Sequence, residues 1–549
     1  MTNKLSLFSL LLLLLMPALV WSQSKTQSVA SATPVMAGKD IAVVQTSYGK
    51  VRGYIHNGTH TFKGIPYGKA ERFMAPSKPD SWEGIRSSMT YGPVCPMDPT
   101  TTVNDEIEFS FQHNWGYTNE NCLSLNVWTP KINDGRKRPV MVWFHGGGFT
   151  GGSSVELPSY DGENLAKKGD VVMVTVNHRL NILGFLDLSA YGEKYKSSAN
   201  AGLLDLVASL EWVKANIANF GGDPNNVTIF GQSGGGGKVT SLMNAPAAKG
   251  LFHKAIVQSG SYITNFTEAS LAKQVSAALL EELKLQPTQI DSLQKISYER
   301  LNAAGKKAMK KVQDELKAQG KPVAGFGLNW GPILDGSFLP YQPNEPAAIE
   351  LSKNVPLLVG STKTEFGPFN PATRNLQTMD AAKENLQKRF GNNTDTYLTA
   401  VKKAYPETAK PSDYADIDIN FRSLAIKQAG EKTAVPGAAP VYMYLFTWSS
   451  PVMDGMYKSM HCMELPFVFD NIARCEEMTG GGKEAHVLAG KMSAAWINFA
   501  KTGDPNHKGL PAWPKYTAQN GANMIFDNQC QVRNHHDQEL LQVASENKL

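Results

Sequence analysis

The sequence predicts an α/β fold built on a large, mostly parallel sheet with helices on both faces, and three observations predict it. Short apolar, β-branched runs recur along the chain, amphipathic segments separate them, and no Pro/Ser-rich linker interrupts the chain after residue 40. The runs are 139–144 (PVMVWF), 171–176 (VVMVTV), 227–230 (VTIF), 255–258 (AIVQ), 355–359 (VPLLV) and 441–446 (VYMYLF). Unbroken apolar runs of this length suit strands buried on both faces, as in a parallel sheet. Between them, 203–218, 268–285 and 484–499 carry helical periodicity. The helix-rich tract from about 268 to 328 falls between core strands and reads as a lid or cap insertion.

A chain of 549 residues, 42% hydrophobic and 9% aromatic, can bury a large core. Length alone would allow several domains, but the missing linker argues for one unit over 41–549. A net charge of +5 with no Lys/Arg block gives no footprint for nucleic acid. Lys306, Lys307, Lys310 and Lys311 are interleaved with small and apolar residues and read as a solvated helix face. At the start, Lys4 precedes an apolar run from Leu5 to Val20, shorter than the roughly 20 residues that a spanning helix needs. Residues 1–22 therefore read as a signal peptide cleaved after Ser22, and 23–40, rich in Ser, Thr, Ala and Lys, as a loose tether. A secreted or periplasmic protein without a membrane span after cleavage is expected. Export permits disulfides among the five cysteines, Cys95, Cys122, Cys462, Cys475 and Cys530. No C-x-x-C or clustered Cys/His spacing points to a metal.

The segment 226–240 reads as strand, then Gly231-Gln232-Ser233-Gly234-Gly235, then helix. This G-x-S-x-G is the pattern of a nucleophile elbow, in which side chains two residues either side of the serine would collide with the adjacent strand and helix. A second glycine run, His145-Gly146-Gly147-Gly148-Phe149, leaves the strand at 139–144. Hydrolysis of an ester builds negative charge on the carbonyl oxygen, and amides aimed at that oxygen stabilise it. Gly146 and Gly147, with Gly234, are the expected donors of an oxyanion hole. A histidine and an acid must follow the serine. His461 sits in a loop after the strand 441–446, whereas His486 lies in a helical pattern, His507 in a turn, and His535 and His536 near the polar end. Glu365 follows the strand 355–359. Asp335 competes with it but reads better as a turn residue.

These residues, together with Phe62 to Tyr67, Arg72-Phe73, Glu120 to Asn126, Asn177-His178-Arg179, Gly184-Phe185, Gly202 to Asp205, Asn216-Ile217, Phe220 to Pro224 and Trp513-Pro514, resemble the type B carboxylesterase family. That family includes cholinesterases and bacterial para-nitrobenzyl-type esterases. The resemblance implies an α/β-hydrolase fold and a Ser233, His461, Glu365 triad working through an acyl-enzyme without cofactor, on a small-molecule ester. It also implies a Cys95–Cys122 disulfide and an Arg72–Glu120 ion pair. A Cys462–Cys475 bridge, leaving Cys530 free, is a further expectation that the family pattern does not fix. Two positions depart from the family: Gln232 stands where Glu is usual and Gly234 where Ala is usual. A neutral Gln232 weakens attraction for cationic substrates, so neutral esters are expected. Phe326, Leu328 and Trp330 are candidates for an apolar substrate pocket. A lipase, peptidase or amidase, and a non-catalytic adhesion protein of the neuroligin sort, are the competing readings; the filled catalytic positions argue against the last.

Overall fold

The structure, a computed structural model, describes residues 34–98, 105–262, 265–321 and 327–546. The expected signal peptide, most of the tether, and Phe326 lie outside the described residues.

Among the described residues, eleven strands form the central sheet: β1 (Tyr54–His56), β2 (Thr59–Pro66), β3 (Ser124–Thr129), β4 (Arg138–Phe144), β5 (Val172–Val176), β6 (Gly222–Gln232), β7 (Lys254–Gln258), β8 (Leu357–Thr362), β9 (Val441–Phe446), β10 (Ala522–Phe526) and β11 (Gln531–Asn534). Their spatial order is β11-β10-β9-β8-β7-β6-β4-β5-β3-β2-β1. The seven strands from β10 to β5 run parallel, and the flanking strands pair antiparallel. All six apolar runs read from the sequence are strands of the parallel block. They are buried on both faces, as the absence of alternation requires: Val140, Val142 and Phe144 join one apolar cluster, Met141 and Trp143 the other. The same division recurs in β7, with Ala255 and Val257 against Ile256, and in β9, with Val441 and Met443 against Tyr442 and Tyr444. Each large side chain buried this way contributes about 1.5–3 kcal/mol.

Six helices matter for the site: α1 (Ala201–Asn216), α2 (Gly234–Met243), α3 (Ala269–Leu283), α4 (Tyr298–Ala318), α5 (Asn420–Ala434) and α6 (Lys483–Thr502). Leu203, Leu206 and Leu210 of α1 and Val239 and Leu242 of α2 pack on the first sheet face; Leu488, Met492 and Trp496 of α6 cover the second. The segment read as amphipathic at 203–218 is instead buried nearly all round, leaving Glu211, Lys214, Ala215 and Ala218 exposed. It lies under α2 and the loop after β5, where Arg179 makes a two-pronged pair with Asp205 (2.8 and 2.6 Å).

Within the 268–328 tract, α3 and α4 bury Leu279, Leu301, Ala308 and Val312 against the first cluster. The α4 lysines face water and pair with carboxylates: Lys307 with Glu282 (2.7 Å) and Lys310 with Asp314 (2.7 Å). A second helical tract, containing Met379–Phe390 and Thr394–Ala404, has its own small apolar cluster, whereas α5 buries Ala425 and Ala429 against the first cluster. The Arg72–Glu120 pair is present, with Arg72 Nε 2.6 Å from Glu120 Oε2. Arg72 also donates to the Leu293 carbonyl at 2.9 Å, tying this pair to the segment between α3 and α4.

Candidate active site

β6 ends at Gln232 and α2 begins at Gly234, so the turn between strand and helix falls on Ser233 alone. Its backbone sits at φ 56°, ψ −126°, a conformation that costs a side-chain-bearing residue about 1–3 kcal/mol. The surroundings hold it there: the Ser233 amide donates to Gln258 O (2.8 Å) and its carbonyl accepts from Gly237 N (2.9 Å). The flanking glycines are required by contact. A Cβ on Gly231 would overlap the Gly235 backbone, and one on Gly235 would overlap the Phe144 carbonyl at the end of β4.

The HGGG segment leaves β4 directly beside this elbow. Gly147 and Gly148 both take positive φ (78° and 61°), and Gly148 abuts Gly234 so closely that a Cβ there would overlap the Gly148 carbonyl. An ideal Cβ on Gly146 would stand 3.6 Å from Ser233 Cβ. The Gly146 amide, however, faces the Tyr160 hydroxyl. The residue against Gly234 is thus Gly148, one that the sequence reading did not single out.

Glu365 lies three residues past β8 and His461 in the loop after β9. The two loops are stitched together by an isolated bridge, with His461 N donating to Glu365 O at 2.9 Å. This places His461 Nδ1 in hydrogen-bond contact with Glu365 Oε2. The other carboxylate oxygen accepts from Ser259 Oγ (2.7 Å) and the Thr362 amide (2.8 Å). Glu365 is 1% exposed, so these bonds replace its water. Asp335 has a different job: its Oδ1 caps the amides of Ser337, Phe338 and Leu339 at 2.8–3.0 Å.

Three more side chains frame the imidazole. Gln232 Nε2 lies 3.2 Å from His461 Nε2, and Gln232 Oε1 accepts from Cys462 Sγ at 3.1 Å. Phe366 stacks on the imidazole at 4.2 Å between centroids, and Phe421 of α5 lies 5.4 Å away. Phe366 is 49% exposed, an apolar ring presented to incoming molecules. Glu464, fully buried three residues on, accepts from Gln258 at 3.1 Å; burial and the Glu365 charge push its carboxyl up to about 7. Trp330 is buried in the first cluster, and Leu328 packs half-buried against it. Gly305 of α4 backs Trp330 closely.

The carboxylesterase family model matches residues 40–544. The chain belongs to the carboxylesterase family. It is 38% identical to the para-nitrobenzyl esterase of Bacillus subtilis over 501 residues, covering 90% of this chain and 96% of that one. It is 32% identical to the phenmedipham hydrolase of Pseudarthrobacter oxydans, covering 88% and 94%. An esterase from Clostridium hathewayi, described as able to hydrolyse aliphatic aromatic polyesters, superposes with a TM-score of 0.84 at 39% identity, covering 94% of this chain and all of that one. A solved para-nitrobenzyl esterase gives a TM-score of 0.73 at 35% identity, with 91% and 99% covered. This carboxylesterase is a carboxylic ester hydrolase.

The expected disulfides are corrected by the structure, in which all five cysteines are thiols. Cys95 and Cys122 are neighbours, but they meet through a thiol–thiol hydrogen bond, and Cys95 Sγ also accepts from Leu180 N at 3.3 Å. The Cys462–Cys475 bridge is absent because the Cys462 thiol is turned inward to Gln232. Among the described residues, no helix of this carboxylesterase is long and apolar enough to cross a membrane.

Proposed function

We propose that this carboxylesterase cleaves neutral small-molecule esters through a Ser233–His461–Glu365 triad. Ser233 Oγ attacks the ester carbonyl carbon while His461 Nε2 takes its proton; the alcohol leaves with that proton, and water then releases the acid from Ser233. Glu365 fixes the imidazole tautomer through Nδ1 and stabilises the imidazolium. The amides of Gly147, Gly148 and Gly234 receive the developing oxyanion, with Gly146 left to Tyr160. The observation that carries this reading is the convergence of three strand exits: a strained serine after β6, and a histidine after β9 already bonded to a carboxylate after β8.

Substrate class follows from what surrounds the imidazole. Gln232 brings no charge, which weakens the attraction for choline-like cations, and Phe366 and Phe421 offer ring faces on which an aromatic acyl or alcohol part of an ester stacks. The activities for which two relatives are named, on nitrobenzyl and on aliphatic aromatic esters, support the same class. Ser233→Ala should lower turnover of p-nitrophenyl butyrate by roughly 10⁵–10⁶-fold while leaving the unfolding midpoint unchanged. Retained turnover would overturn the triad. We further propose export with removal of residues 1–22, which N-terminal sequencing of the mature protein tests: a start at Gln23 is expected, and an intact Met1 would overturn it.

A further inference from the structure

Lys238 lies on α2, five residues past Ser233, and is 0% exposed. Burying an ammonium is costly, and such a group is ordinarily held by a carboxylate in contact. Here its acceptors are backbone carbonyls of the glycine loop: Lys238 Nζ donates to His145 O at 2.9 Å and to Gly146 O at 3.4 Å. Glu156 supplies a favourable field without a direct bond, and the Phe149 ring lies 5.8 Å below the ammonium. Burial pushes the ammonium down to about 7. Its charge in turn helps hold the buried, stacked imidazoles of His145 and His178 neutral. The Gly146 carbonyl also accepts from His145 Nδ1 at 2.9 Å, so this one oxygen is gripped from two sides.

The carbonyl and amide of a peptide unit are two ends of one rigid dipole. The Gly146 carbonyl belongs to the same plane as the Gly147 N–H, so whatever fixes that oxygen fixes the direction of the N–H. A cation at the oxygen also draws electron density away from the N–H and makes it a stronger donor. We infer that Lys238 is a positioning residue for the oxyanion hole, orienting and polarising the 146–147 peptide so that the Gly147 amide faces the reacting carbonyl oxygen. This rests on the esterase reading above and adds to it a cation behind the hole that never touches substrate. The fold alone gives no reason for a charge at this helix position, since a neutral donor would satisfy the same carbonyls.

The test separates the step that Lys238 serves from simple folding. In Lys238→Met, kcat for p-nitrophenyl butyrate should fall roughly ten- to a hundredfold, less than the 10²–10³ lost with a hole donor itself, while KM stays within about twofold. Affinity for an aryl trifluoromethyl ketone, which forms the tetrahedral oxyanion on Ser233, should fall by the same factor as kcat. Lys238→Gln keeps N–H donors for both carbonyls, so it should fold if the Met variant does not, and should recover only part of the lost kcat. Wild-type kcat and ketone affinity in either variant would overturn the inference, as would a loss carried by KM alone. If Ser233→Ala is inactive and the Lys238 variants are unaffected, this inference fails and the triad stands. If Ser233→Ala is active, the triad itself fails.

Discussion

Two buried cations stand close to the glycine loop and are held in opposite ways. Arg179, just past β5, is neutralised on contact: Asp205 takes Nε and Nη2, and the Glu71 and Met74 carbonyls take Nη1 at 2.8 Å each. Lys238 has carbonyls alone for direct partners. A cation met by its counter-ion and every acceptor it can use anchors the fold, here the loop after β5 to α1. A cation given only to peptide oxygens of a working loop is retained for its effect on those peptides. The two differ less in burial than in who carries the opposite charge.

Removing the counter-ion is the harshest way to sharpen this contrast. Asp205→Ala strands a buried guanidinium and should cost about 3–5 kcal/mol, read as a lower urea midpoint; an unchanged midpoint would break the contrast. At pH 7, Lys238→Met should do the reverse, changing stability by no more than about 2 kcal/mol in either direction although activity falls, because a buried charge leaves with its own desolvation cost. A loss as large as that of Asp205→Ala would put both cations in one class. The pH dependence follows from the same difference. Lys238 ionises near 7 in the folded chain against an ordinary 10.5. Its contribution to stability, that of the neutral amine, is therefore full above 10.5 and is lost as pH falls towards 7, where the cation that serves the loop forms. Over this window the wild type should gain up to about 1.4 kcal/mol per pH unit relative to Lys238→Met in urea titrations; parallel curves would show that the lysine does not titrate there.

The smallest effect extends the contrast to acids. Glu365 has both oxygens bonded, whereas Glu464 has one oxygen without a partner. Its carboxyl is pushed up to about 7 from an ordinary 4.5, so its contribution is present below 4.5 and lost as pH rises to 7. Glu464→Gln should raise stability at pH 8 by about 1 kcal/mol and keep kcat within about threefold. A loss of kcat comparable to that of a triad variant would make Glu464 part of the machinery.

The strands and the elbow were legible because both follow from local rules. A strand with two buried faces has no polar positions, and an elbow pressed on two neighbours has no room for Cβ atoms. β6 shows the limit of such rules: its first residues, Gly222 to Asn226, are turn-forming types and fall in a register irregularity opposite Arg138–Val140 of β4, so only 227–230 betrayed the strand. The framing of His461 was not legible. Phe421 reaches it from a helix some forty residues upstream, and Ser259 reaches Glu365 from the end of β7; periodicity reports burial but never names the partner. Lys238 was hidden for a similar reason, since a lysine in a helix is ordinarily an exposed one. The Cys462–Cys475 pairing was not legible because a sequence says nothing of where a thiol points, and Cys462 points to Gln232.

The contact between Gly234 and Gly148 makes two distant stretches of chain a single inherited unit. Alanine, usual in relatives after the nucleophile, has no room here unless the loop after β4 retreats. Residues 145–149 and 231–235 can therefore drift only together. A chimaera that takes one segment from a relative and leaves the other should fail, where the paired exchange succeeds.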